Sequence, residues 1–128
     1  MILSGGFTEL CDGEVNDFIL ELVQNCLNNI PPDVHNRRRE LCEEILKYNY
    51  PTGKRAQAKE RLTNVLKTWC ARQDQINQLE NMGFTVTKGR THYKVRWRNS
   101  SYFAAIPATP SDRRGGANAV STSVAAFF

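Results

Sequence analysis

Residues 84–98 read FTVTKGRTHYKVRWR, a stretch whose chemistry alternates with a period of two. Successive side chains of a strand point to opposite faces, so Tyr93, Val95 and Trp97 share one face. His92, Lys94, Arg96 and Arg98 share the other, which leaves one face suited to a core and the opposite one suited to an anion. FTVTKG forms a first strand with Phe84 and Val86 inward, THYKVRWR the second, and SYFAAIP at 101–107 the third, with Arg98, Asn99 and Ser100 in the turn. Consecutive hairpins make the predicted sheet antiparallel.

Upstream of Gly83 the period is helical. Val15, Phe18, Ile19, Leu22, Val23, Cys26, Leu27 and Ile30 recur at intervals of three and four, with Asp12 as expected N-cap and Pro31-Pro32 as the stop. A second helix is expected from the cap Asp33 through Val34, Leu41, Cys42, Ile45 and Leu46, ending before Pro51. A third runs from Thr52 through Ala58, Leu62, Val65, Leu66, Trp69, Ile76 and Leu79, with Gly83 as its C′ residue. Its apolar stripe thins from Ala71 to Gln75, so a kink or break there is open. These helices must bury their stripes, either as a three-helix cap with Phe18 and Trp69 in its core or in a homodimer. After Pro107, Thr109 or Ser111 offers a cap and Pro110 a first helical residue for a closing helix with Val120, Val124 and Phe127 or Phe128 on its apolar side. Gly115 and Gly116 allow its start to fall as late as Ala117.

The expected fold class is therefore α+β: a helical N-terminal region over residues 1–73, then an α-β-β-β-α unit over residues 74–128 with a three-stranded antiparallel sheet. At 128 residues, 41% hydrophobic and 23% charged, the chain suffices for one domain or a small domain with a helical extension. The net charge of +4 is unevenly spread. Residues 1–50 carry −5, residues 51–82 carry +3, and residues 83–128 carry +6, so a polyanion is expected to dock at the C-terminal end. Its contacts would be Lys88, Arg90, Lys94, Arg96, Arg98, Arg113 and Arg114, with Lys54, Arg55, Lys59 and Arg61 a further candidate group. Arg37, Arg38 and Arg39 lie at helical spacing with Glu40, Glu43 and Glu44, the pattern of a solvated, ion-paired face.

Cys11, Cys26, Cys42 and Cys70 form no CxxC pair and have no histidine at ligand spacing. No metal site and no cofactor is expected, and the last three cysteines fit as small core hydrophobes. The first residues lack a basic n-region and an apolar h-region, and no apolar run approaches the ~18 residues of a membrane span. A reduced, cytoplasmic protein with no membrane partner is the simplest expectation.

The order helix, strand, strand, strand, helix resembles the double-stranded-RNA-binding-domain fold. NMGFTVTKGRTHYKV at 81–95 resembles HicA-type toxins, the mRNA-cleaving partners of bacterial toxin–antitoxin pairs, in which a helix ends at Gly-Phe and a histidine follows the first hairpin turn. IPATPSDR at 106–113 resembles the turn before the last helix in HicA-like proteins of phages and prophages. The resemblance covers residues 74–128 and implies RNA as partner, double-stranded RNA being read by shape and by phosphate and 2′-hydroxyl contacts. It further implies metal-independent endoribonuclease chemistry, with His92 as catalytic base, Lys94 on the phosphate, and Arg96 and Arg90 extending the track. Two alternatives stay open. One is a non-catalytic adaptor of phage or defence origin, in which the acidic N-terminal helices engage a protein partner and the basic end holds nucleic acid. The other is an inhibitor that binds only protein.

Overall fold

The chain forms α1 (Glu14–Asn28), α2 (Arg37–Tyr48), α3 (Lys54–Leu66), α4 (Gln73–Asn81), β1 (Phe84–Lys88), β2 (His92–Trp97), β3 (Ala104–Pro107) and α5 (Gly115–Phe127). This computed structural model describes residues 7–108 and 115–128. The class is α+β, with helices first and one three-stranded antiparallel sheet in the order β1-β2-β3. The chain divides into two compact units between Gln57 and Ala58, inside α3.

In the first unit α1 packs along α2, and its buried apolar residues include Leu20, Ile30 and Cys42. The cap of α1 is not Asp12. Gly13 occupies the N-cap position at φ 82, the carboxylate of Glu9 accepts from the Val15 N–H at 2.7 Å, and Asp12 reaches Lys54 at 3.6 Å instead. Nor does Asp33 cap α2, because the turn closed by Val34 N–H on the Pro31 carbonyl delays the helix. Asn36 takes the role and accepts from the Arg39 N–H at 2.9 Å. Arg39 then donates back to the carbonyls of Val34 at 2.7 Å and Pro31 at 2.8 Å, so it locks the proline turn. Arg37 pairs with Glu40 at 2.9 Å on an exposed face, as its spacing predicts.

Asp17 is the buried anchor of this unit. Its carboxylate accepts from the Thr52 N–H at 2.7 Å, the Thr52 hydroxyl at 2.8 Å and the Arg55 N–H at 3.4 Å, which places a negative charge at the positive end of α3. Arg55 pairs with Glu21 and lies over the Phe18 ring at 5.3 Å, so this buried arginine is committed to the fold and not to a phosphate. Phe18 remains 43% exposed, and Trp69 belongs to the second unit. Phe18 thus does not take the core position expected of it.

The predicted third helix is broken. α3 stops at Leu66 and α4 begins at Gln73, with Ala71 at φ 58 between them. The buried side-chain amide of Gln75 makes the break tolerable, since it accepts from the Cys70 N–H at 3.0 Å and the Arg72 N–H at 3.3 Å and donates to the Thr68 carbonyl at 2.8 Å.

Phe84, Tyr93, Val95, Trp97, Ala104 and Ile106 form the inner face of the sheet and are buried with Leu62, Leu66, Trp69, Ile76, Leu79, Ala119 and Phe127. Edge-on ring contacts order this core. Trp69 meets Tyr93 at 6.0 Å and Phe84 meets Trp97 at 5.5 Å, while Phe127 of α5 lies 4.8 Å from Phe84. Gly83 ends the turn after α4 at φ 100, and a Cβ there would lie 2.5 Å from the Trp97 ring. Glycine is thus required twice over, by conformation and by space.

Candidate nucleic-acid interface

The alternation along β2 is borne out: Tyr93, Val95 and Trp97 are buried, His92 and Lys94 are exposed, and Arg96 is half-buried. Because β2 is the middle strand, this basic row runs along the centre of the outer face. The register fixes its neighbours. Arg96 stands opposite Thr85 of β1, Lys94 lies between Thr87 of β1 and Ala105 of β3, and His92 is opposite Pro107. At about 3.3 Å per residue, the row from His92 to Arg96 is roughly 13 Å long. Thr85, Thr87 and Ala105 are exposed and small, so they form a low shelf on either side of the cations.

One member of this face carries no sequence signal for binding. Phe103 immediately precedes β3, and the alternation that buries Ala104 and Ile106 turns Phe103 and Ala105 outward. Its ring is 41% exposed, with Lys94 Nζ 4.9 Å and Arg96 Cζ 5.2 Å from the centroid. Arg96 is also held by donation to the Ser100 carbonyl at 2.9 Å, so its guanidinium is fixed between the β2–β3 turn and the Phe103 ring. In sequence, Tyr102-Phe103 reads as an ordinary hydrophobic strand pair; only the register shows which ring faces out. Tyr102 has the opposite parity and approaches Phe127 at 6.0 Å.

The remaining predicted contacts are dispersed. Lys88 is exposed at the end of β1, but its parity is that of Phe84 and Val86, the inward side. Arg90 is exposed in the hairpin that closes with Gly89 N–H on the His92 carbonyl at 2.8 Å. A Cβ on Gly89 would lie 2.8 Å from that same oxygen, which explains the glycine. Arg98 does not continue the row, because β2 ends at Trp97 and Arg98 turns at φ 49, its guanidinium 5.3 Å from the Trp97 ring centroid. Arg113 and Arg114, like the expected caps Thr109 and Ser111, lie outside the described residues.

At the proposed catalytic position, the His92 Nδ1 is 2.9 Å from the Thr91 hydroxyl. This contact occupies Nδ1, so any ligand of the ring would meet Nε2. It works as a base only in the tautomer where Nδ1 carries the proton and Thr91 accepts it. The ladder from Phe84↔Trp97 to Lys88↔Tyr93 is uninterrupted, so residues 89–91 are taken up in the turn without a bulge.

Among the described residues, no group of three or more His, Cys, Asp or Glu is placed to hold a metal ion, and no helix is long and apolar enough to cross a membrane. The four cysteines are free thiols. Burial pushes the Cys42 thiol up, and the neighbouring Cys26 thiol adds to the effect. Compared with protein-family models, with curated proteins and with solved structures, the chain matched nothing, and its functional assignment rests on the geometry of its own residues.

Proposed function

We propose that this protein is a cytoplasmic, HicA-like RNA-binding protein that holds the phosphate backbone on the outer face of its sheet, through Lys94 and Arg96, with His92 at the end of the row. The observation that carries the proposal is the register of β2, which presents three basic or titratable side chains in line at the centre of a face left open by the described residues. Neither cation has a carboxylate partner among the ion pairs of the described residues. Their charge is therefore available to phosphate, whereas that of Arg37 is spent on Glu40.

Binding of this kind weakens steeply with salt, because each phosphate neutralised releases counterions. Retention of RNA oligonucleotides at low salt is the expected result. The double variant Lys94→Ala/Arg96→Ala should flatten the plot of log affinity against log salt by about 1.4 on single strands, at roughly 0.7 per lost phosphate contact. A protein that retains no RNA or DNA at low salt would sink the proposal.

A second function, engagement of a protein partner or of a second copy, is favoured by the N-terminal helices. Leu41, Ile45 and Tyr48 on α2, and Phe18 and Leu22 on α1, are each more than a third exposed although they lie at helical spacing. Sedimentation of the full chain distinguishes the occupants. A dimer that Ile45→Glu dissociates indicates self-association, and a wild-type monomer leaves a different protein as the occupant.

A further inference from the structure

We infer that the nucleic acid this face selects is single-stranded, with an unpaired base stacked on Phe103 and the flanking phosphates on Lys94 and Arg96; this rests on the proposed RNA binding at the same site. An aromatic ring that is 41% open to water on a charged face contributes little to the core, whose ring contacts lie on the opposite side of the sheet. Lys94 and Arg96 lie over this ring, at 4.9 Å and 5.2 Å from its centroid, so a base that stacks there replaces two cation–π contacts and releases both cations to its phosphates. That is the composition of a stacking platform in a phosphate track, where bases lie on aromatic side chains and the backbone follows basic residues.

The surroundings favour an unpaired base over a duplex. In an A-form helix the faces of internal bases are covered by their neighbours, so a duplex meets a protein with its grooves, phosphates and 2′-hydroxyls and cannot use an exposed ring. A single strand can splay a base outward. The low shelf of Ala105 beside Phe103, and of Thr85 and Thr87 across the row, leaves space for a flat ring to lie against the sheet. The hydrogen bond from Arg96 to the Ser100 carbonyl keeps one cation in place before the ligand arrives, so less of its side-chain freedom is lost on binding.

The test uses the full chain and fluorescence anisotropy at one fixed salt concentration, with three probes: a mixed-sequence 12-nucleotide RNA, its duplex, and a single strand of equal length bearing abasic sites. Expected are tighter binding of the intact single strand than of the duplex, a loss of roughly five- to hundredfold on removing the bases, and a similar loss for the intact strand with Phe103→Leu. Phe103→Trp should keep or strengthen the single-strand affinity. Equal affinity for intact and abasic strands overturns the inference, as does a preference for the duplex, and in both cases salt-dependent RNA binding by Lys94 and Arg96 survives. Absence of binding to all three probes at low salt overturns both. The abasic comparison leaves the protein unaltered, so the result does not depend on whether a Phe103 variant folds.

Discussion

The indole N–H of Trp69 donates to the carbonyl oxygen of Pro107 at 2.8 Å, and Pro107 is the residue that faces His92 across the β2–β3 ladder. The segment between α3 and α4 therefore fixes the end of β3 from beneath, at the level where the outer face carries its histidine. Trp69→Phe keeps an aromatic ring against Tyr93 but leaves a carbonyl without its donor, at an expected cost of about 1–3 kcal/mol in urea unfolding. Trp69→Ala also opens a cavity, and its expected cost is about 3–5 kcal/mol. Equal stability of Trp69→Phe and wild type would show that the hydrogen bond contributes nothing.

Asp17 predicts an acid sensitivity. Burial pulls its carboxyl up, but donation from the Thr52 N–H and hydroxyl, the Asn16 amide and the Arg55 N–H outweighs burial and the net shift is downward. A carboxylate lowered by folding contributes stability above its unfolded pKa and loses it as pH falls through the folded value. Asp17→Asn should therefore cost about 1–3 kcal/mol at neutral pH. Its urea midpoint should converge with that of the wild type in acid. A gap that stays constant from neutral pH to pH 2 would show that the charge is not the stabilising feature.

Ser123 predicts a gain. Its hydroxyl on α5 is fully buried and has no hydrogen-bond partner among the described residues. Ser123→Ala removes an unsatisfied polar atom and adds helix propensity, so unfolding should become harder by roughly 1–2 kcal/mol. Thermal denaturation followed by circular dichroism measures this, and a lower melting temperature would contradict it.

His92 separates cutting from holding. If Nε2 acts as base, His92→Ala abolishes cleavage and any growth inhibition on expression, yet leaves RNA affinity nearly intact, because a neutral imidazole attracts phosphate weakly. If the face only holds RNA, the wild type leaves substrates uncut and His92→Ala changes little, whereas Lys94→Ala lowers affinity. Gel analysis of RNA incubated for hours at neutral pH without metal discriminates the two. Intact RNA after incubation with the wild type retires the nuclease chemistry.

The sheet was legible in the sequence because a single alternating run, with Tyr93, Val95 and Trp97 against His92, Lys94 and Arg96, determines both faces at once. The turn at Arg98, Asn99 and Ser100 was legible as well, but Arg98 also continues the alternation on paper, and only its left-handed backbone at φ 49 shows that it leaves the row. The break after Leu66 was visible only as a thinning stripe, because the residue that supports it, Gln75, is a buried polar side chain and polar residues ordinarily signal surface. Phe103 was hidden for the opposite reason, since an aromatic residue ordinarily signals core and nothing local gives its parity. Arg55 was misjudged because its partner, Glu21, is 34 residues away in the chain.

The position of β2 between two hydrogen-bonded neighbours also governs how the interface moves. An edge strand can fray and let its side chains drift, but a strand bonded on both sides exchanges its amide hydrogens only when a larger part of the unit opens. Lys94 and Arg96 thus sit on a backbone whose fluctuations are small compared with those of any flexible ligand. In the proposed RNA binding, the freedom lost on association would then fall on the nucleic acid rather than on the protein, and affinity would be set by how readily the incoming strand adopts the spacing that the sheet already has.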